Sequence, residues 1–196
     1  MKLAKLVLAS SLVASCAFAE GAFIGVGGGY NFNAEFQTED DLSIDGNQGV
    51  FSVKGGYDFG SYRSYAQYNY NSKYSEEVSV TQGGQTTLLG KAEFSGHEFV
   101  VGVDFTPALS ENFKLSIGPY AGLSLLKATA ADQTGSESQT QKGFIVGGKA
   151  GVIFDFGAGE IEAGVKADKA WHSGQDGWVD IDKTTLGAYA GYNFKF

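Results

Sequence analysis

The segment from Thr184 to Phe196 constrains this chain more than any other. Leu186, Ala188, Ala190, Tyr192, Phe194 and Phe196 fall on one side of a two-residue period. Thr185, Gly187, Tyr189, Gly191, Asn193 and Lys195 fall on the other. Such a segment is a strand with one oily face and one small or polar face. Beyond the first residues the same alternation returns again and again, and no apolar run approaches the ~20 residues a membrane-spanning helix needs.

Eight alternating stretches can be traced. The first runs from about Ala22 to Phe36, with Ala22, Ile24, Val26, Tyr30 and Phe32 on one face. Its run Gly25-Val26-Gly27-Gly28-Gly29 is no dinucleotide-binding loop, because no helix follows and the alternation passes straight through. The second shows Phe51, Val53, Tyr57 and Phe59, and the third Tyr62, Ala66, Tyr68 and Tyr70. The fourth shows Phe99, Val101, Val103 and Phe105; the fifth Phe113, Leu115, Ile117, Ala121 and Leu123. Pro119 interrupts the fifth and is expected at a bulge, since proline lacks a ladder donor. The sixth shows Phe144, Val146, Ala150, Val152, Phe154 and Phe156, and the seventh Ile161, Ala163, Val165, Ala167 and Trp171. The terminal segment is the eighth.

Connections alternate in length. Short ones lie near 58–61, 106–111 and 156–159, and the long ones at about 37–47, 75–92, 128–142 and 172–183. Phe59, Tyr62, Phe105, Phe113, Phe156 and Phe196 all sit beside the short turns on the oily face, forming one aromatic girdle. The fold class expected is all-β, an eight-stranded antiparallel up-and-down transmembrane β-barrel over 20–196. Closure follows because every backbone donor and acceptor within lipid must be paired. The ending Tyr189-x-Gly191-x-x-Phe194-x-Phe196 resembles the terminal signal read by the barrel-assembly machinery of Gram-negative bacteria. The chain as a whole resembles the small outer-membrane barrels that include the OmpA barrel, OmpX and the opacity-type surface proteins. That resemblance implies an integral outer-membrane protein among lipids and lipopolysaccharide, with the long loops outside the cell. It carries no implication of peptidoglycan anchoring.

Residues 1–19 read as a cleaved secretory signal peptide. Lys2 and Lys5 supply the basic start, Leu6 to Ala14 the apolar stretch, and Ala17-Phe18-Ala19 the small-x-small site. Val13-Ala14-Ser15-Cys16 loosely resembles a lipobox, although the Ala-Phe-Ala site is the better match. Cleavage after Ala19 removes the single cysteine, and with it thiol chemistry and disulfides. It leaves 12 basic residues against 22 acidic ones, a net charge of −10 that argues against nucleic acid as a partner.

Chemistry is sparse. The inward faces carry Lys54, Arg63, Glu98, Lys149, Glu162, Lys166 and Asp168, expected to pair within a lumen filled by side chains. The alternative is a narrow ion path whose pairs exchange partners, a small porin-like pore. Asp41 to Gly46 begins like a calcium loop, but the twelfth position is Ser52 rather than a bidentate acid, so no metal is expected. His172 and Ser173 are adjacent and point oppositely in a strand, unlike the one-face pair of lipid A deacylases. No catalytic role or cofactor is expected. The arm from about Tyr70 to Phe94, turning at Gly83-Gly84, would project as a hairpin whose open edge suits strand addition by an extracellular protein. Trp171 is read as an interface anchor and Trp178 as a loop contact residue.

Overall fold

The structure, a computed structural model, describes residues 21–38, 43–82, 85–131, 135–174 and 179–196. Eight strands run in chain order: β1 (Ala22–Thr38), β2 (Ser43–Asp58), β3 (Tyr62–Gln82), β4 (Gln85–Phe105), β5 (Phe113–Ala131), β6 (Ser136–Asp155), β7 (Gly159–Ser173) and β8 (Ile181–Lys195). Each pairs antiparallel with its sequence neighbours, and β1 closes on β8 into a barrel. The expected fold class is the fold observed.

Two of the short turns share one construction. Asp58-Phe59-Gly60 and Asp155-Phe156-Gly157 each bend back through a glycine of positive φ, 92° at Gly60 and 89° at Gly157. The aspartate Oδ1 accepts from that glycine's N–H at 2.7 Å in both. An aspartate that mimics a backbone turn, followed by a residue free to adopt φ > 0, makes a tight reversal. Each reversal leaves its middle phenylalanine facing outward, and Phe59 stacks on Tyr62 with centroids 4.7 Å apart.

The outer wall is apolar and open to its surroundings. Val101 is 63% exposed, Leu123 62% and Phe105 56%, and the six girdle aromatics are all exposed. In water a belt of this extent would drive aggregation; in lipid it is solvated. From Phe144 to Phe154 of β6 the chain covers about 34 Å, or about 26 Å of height at a tilt of ~40°, close to the ~25 Å apolar band of such barrels.

The strands are longer than their alternation indicates. Of the stretches read as loops, 43–47 belong to β2, 128–131 to β5, 136–142 to β6, and 181–183 to β8. Above the lipid these stretches are mostly polar or small, Ile44 and Ile181 apart, so the ladder continues where the period-two signal stops. β3 and β4 stay paired out to Gln82↔Gln85, framing a two-residue connection. Gly83, Gly84, Asp41, Leu42, Trp178 and residues 1–20 lie outside the described residues.

Pro119 is not at a bulge. It pairs with Gly148, and the β5–β6 register runs unbroken on both sides. On the β4 side the rungs at Val103 and Asp104 are missing while the register is kept from Gly102↔Tyr120 to Phe105↔Ile117. The proline thus costs rungs on one side without displacing the strand. The register shifts lie instead between Asn31 and Ala34 of β1, between Asn71 and Tyr74 of β3, and between Val78 and Ser79.

Candidate functional site

The lumen is the most densely built region. The two-residue period turns Lys54, Arg63, Glu98, Lys149, Glu162, Lys166 and Asp168 inward, and the register sets them in two groups.

The lower group centres on Glu162 of β7, which is fully buried. Its carboxylate meets Lys54 Nζ at 2.5 Å, Arg63 Nη2 at 2.9 Å and Lys149 Nζ at 3.1 Å. The Tyr189 hydroxyl donates to it at 3.1 Å. Arg63 also reaches Glu160 at 3.0 Å and Asp104 at 3.6 Å, and Lys149 reaches Asp104 at 2.9 Å. The Lys149 ammonium lies 4.3 Å from the centre of the Tyr65 ring, and the Arg63 guanidinium 5.3 Å from that of Phe23. Such contacts compensate the loss of water around buried cations.

The upper group holds the other two acids. Glu98 accepts from Asn71 at 2.8 Å and Asn69 at 3.1 Å, and pairs with Lys183 at 3.2 Å. Asp168 accepts from Tyr120 at 2.7 Å, accepts from Thr185, and lies 3.5 Å from Lys166. A cavity of about 50 Å³ separates the groups, lined by Lys54, Gln67, Asn69, Tyr120, Lys149 and Lys166 among others. It has room for a few waters.

Above these groups the lumen becomes apolar. Phe36 and Phe94 stack with centroids 4.4 Å apart, packed with Ala34, Leu126, Ala128 and Ile181. The shift in β1 brings Ala34 and Phe36 into this cap: odd positions face inward up to Asn31, and even positions, Ala34 and Phe36, from there on. Phe32 and Asn33 at the shift are both exposed. The matching shift in β3 turns Tyr74 inward opposite Phe94.

Several network members escape a reading of the sequence. Lys183 belongs to a stretch read as loop, and Glu160 lies at the strand's first rungs beside the turn. Asp104 is inward by alternation, but its pairing with Lys149 needs the barrel's curvature. Ser124 and His172 form a further hidden pair: Ser124 Oγ lies 2.8 Å from His172 Nε2, while His172 Nδ1 lies 3.1 Å from the Ile181 carbonyl. The carbonyl takes the Nδ1 proton, so Nε2 accepts from the serine. Both side chains are buried, and no carboxylate contacts the imidazole among the described residues, so the pair acts as a polar strut. Ser173, as its neighbour's opposite, is exposed.

At the outer end, Tyr74 donates to the Asp45 carbonyl at 2.8 Å and bonds Glu76. The bond to Glu76, then partial burial, pushes the Tyr74 hydroxyl up to about 12. Glu93 is held below the usual carboxylate range, first by its hydrogen bond from Lys73. Among the described residues no group of acids, histidines or cysteines is arranged for a metal.

A closed eight-stranded barrel with a lipid-facing aromatic girdle, an apolar wall and a charged interior is an outer-membrane β-barrel. Solved structures share this fold: Neisserial surface protein A matches with a TM-score of 0.58 at 15% identity, over 90% of this chain and 98% of that one. Ail, the attachment invasion locus protein of Yersinia pestis, matches with a TM-score of 0.52 at 18% identity, over 90% and 100%. OprG from Pseudomonas aeruginosa matches with a TM-score of 0.50 at 14% identity, over 90% and 96%. No family model matches the sequence, and no curated protein matches it. The likeness is one of fold.

Proposed function

We propose that this protein is a non-conducting, non-enzymatic barrel that serves the cell surface through its outer end. Its principal contact element is the upper part of β3 and β4, which takes an extended segment of an extracellular protein by strand addition. The observation that carries this reading is the unequal length of the ladders. β2–β3 pairing stops at Val50↔Asn71, while β3–β4 pairing continues to Gln82↔Gln85. Above Asn71, therefore, β3 has a ladder partner on one side only among the described residues. An open edge of this kind is a template for another strand. Just beyond the last shared rung the seam is tied by side chains: Gly49 N donates to Ser72 Oγ at 2.9 Å and Gln48 Nε2 to the Ser72 carbonyl at 3.0 Å.

Charge points to the class of partner. Glu35, Asp45, Glu76 and Glu93 surround this edge against Lys73 and Lys91, which favours a basic segment. One Ail structure is a complex with the heparin analogue sucrose octasulfate. A sulfated ligand suits the acidic edge here poorly. The non-conducting reading rests on the apolar cap and the paired charges beneath it. The competing small-pore reading draws on Lys166, whose one acid partner among the described residues stands at 3.5 Å and which borders the cavity.

Two measurements test the proposal. Single-channel recording of the refolded barrel should show no reproducible openings; stable openings would reverse it in favour of the pore. Bacteria displaying the protein should lose protein-dependent adhesion when 75–92 is replaced by a tight turn, with heat-modifiable mobility retained. Unchanged adhesion would remove the arm from the function.

A further inference from the structure

Among the described residues, the ion pairs of this acidic chain leave out two cations. Lys54, Arg63, Lys73, Lys91, Lys114, Lys149, Lys166, Lys169, Lys183 and Lys195 each have a carboxylate within 4.0 Å. Among the described residues Lys127 and Lys142 have none. They are neighbours. Lys127 pairs with Thr140 and Lys142 with Leu125, so they stand on adjacent strands, two residues apart, on the outward face. Strand spacing and rise put their Cα atoms on the order of 8 Å apart. His97 stands in the same diagonal relation to Lys127 from the other side, because it pairs with Leu125. The Tyr68 hydroxyl lies 2.7 Å from His97 Nδ1. With that hydroxyl donating, Nε2 carries the imidazole proton as a further donor. Ser95, Thr140 and Ser173 complete the patch, each directly across from one of the two lysines.

The height of the patch matters as much as its charge. The next outward rungs toward the periplasm are Phe99, Leu123, Phe144 and Trp171, all exposed and within the lipid belt. The nearest outward acid further along β4, Glu93, is already held by Lys73 and Lys91. A ligand here meets two free ammonium groups at the top and a greasy wall directly below. That combination suits an amphiphile with a phosphate head and acyl chains, not a soluble anion.

We propose that Lys127, Lys142 and His97 form a binding site for the phosphate groups of a phosphorylated glycolipid of the outer leaflet, whose acyl chains lie along β4–β7. The site depends on the outer-membrane fold and not on the strand-addition reading, so either can fail alone. Ammonium groups on adjacent strands can bridge one phosphate or engage the two of a bisphosphorylated lipid A. Binding would also fix the rotational position of the barrel among its lipids.

The test is native mass spectrometry of the folded protein in detergent, titrated with bisphosphorylated lipid A and with its dephosphorylated form. The wild type should retain the phosphorylated lipid roughly tenfold more tightly, and Lys127→Gln with Lys142→Gln should erase most of that difference. The double arginine variant should keep it. Equal binding of both lipids by the wild type would overturn the proposal, as would undiminished binding by a folded glutamine variant. Capture of a soluble sulfated disaccharide by the same lysines, with lipid A ignored, would overturn it too. Should the double glutamine variant fail to fold, Lys142→Gln alone and the wild-type comparison still decide.

Discussion

Replacing Glu162 by glutamine would test the lumen network at its centre. The carboxylate serves Lys54, Arg63 and Lys149, but these depend on it unequally. Arg63 retains Glu160, and Lys149 retains Asp104 at 2.9 Å. Lys54 has no other acid partner among the described residues, so Glu162→Gln strands one buried ammonium. Breaking a buried pair from one side costs about 3–5 kcal/mol, mostly the desolvation of the charge left behind. The expected loss is therefore about 3–5 kcal/mol in reversible urea unfolding from phospholipid vesicles, followed by tryptophan fluorescence. The double variant Lys54→Met, Glu162→Gln should recover part of it, because the stranded charge goes too. A coupling of at least ~1.5 kcal/mol between the two sites is expected. A Glu162→Gln cost below ~1 kcal/mol, or additive effects, would refute the view of Glu162 as the structural hub.

Three further outcomes follow from positions described above. A Cβ on Gly122 would stand 2.0 Å from the Phe99 carbonyl, whereas one on lipid-facing Gly148 meets nothing closer than 3.8 Å. Gly122→Ala should cost about 1–3 kcal/mol in the same unfolding assay and Gly148→Ala close to nothing. Glu93 should titrate, by NMR of a labelled sample, below an ordinary glutamate, and move back up in Lys73→Ala. Since its folded pKa lies below the unfolded one, its contribution to stability is present above the unfolded value and lost as pH falls through the folded one. In a background without Cys16, a membrane-impermeant maleimide should label Ser75→Cys rapidly and Ser124→Cys only after unfolding, because Ser75 is exposed and Ser124 is buried inside the barrel.

The membrane-embedded half of the barrel could be read almost residue by residue. Between the short turns and the outer edge of the apolar belt, lipid on one side and a polar interior on the other enforce strict alternation. Leu186 to Phe196 and Phe99 to Phe105 therefore announce both strand and face. Outside the lipid that contrast ends, and the reading fails at Ser43, Ser136 and Ile181, where strands persist without a period. The inward charges were identifiable by face, but their partners were not. Arg63 and Glu160 lie far apart in sequence and meet only because the sheet closes. The place of Phe36 in the cap was hidden by the shift at Phe32 and Asn33, which reverses the parity of the rest of β1, whereas Phe94 keeps the parity of Glu98 and Val100. A glycine or proline would have flagged that shift; neither is present there.

At the level of that shift one continuous sheet passes from one solvent to another. Below it the wall is dressed for oil outside and water within; above it the dress is turned inside out, with Phe36 enclosed and Glu35 facing out. Asn31 and Asn71, each at the last rung before its strand's shift, bond to one another at 3.2 Å across the boundary. The upper storey thus obeys the rules of an ordinary soluble protein while borrowing its stability from strands rooted in lipid. Its exterior can therefore change without altering the faces that meet lipid below.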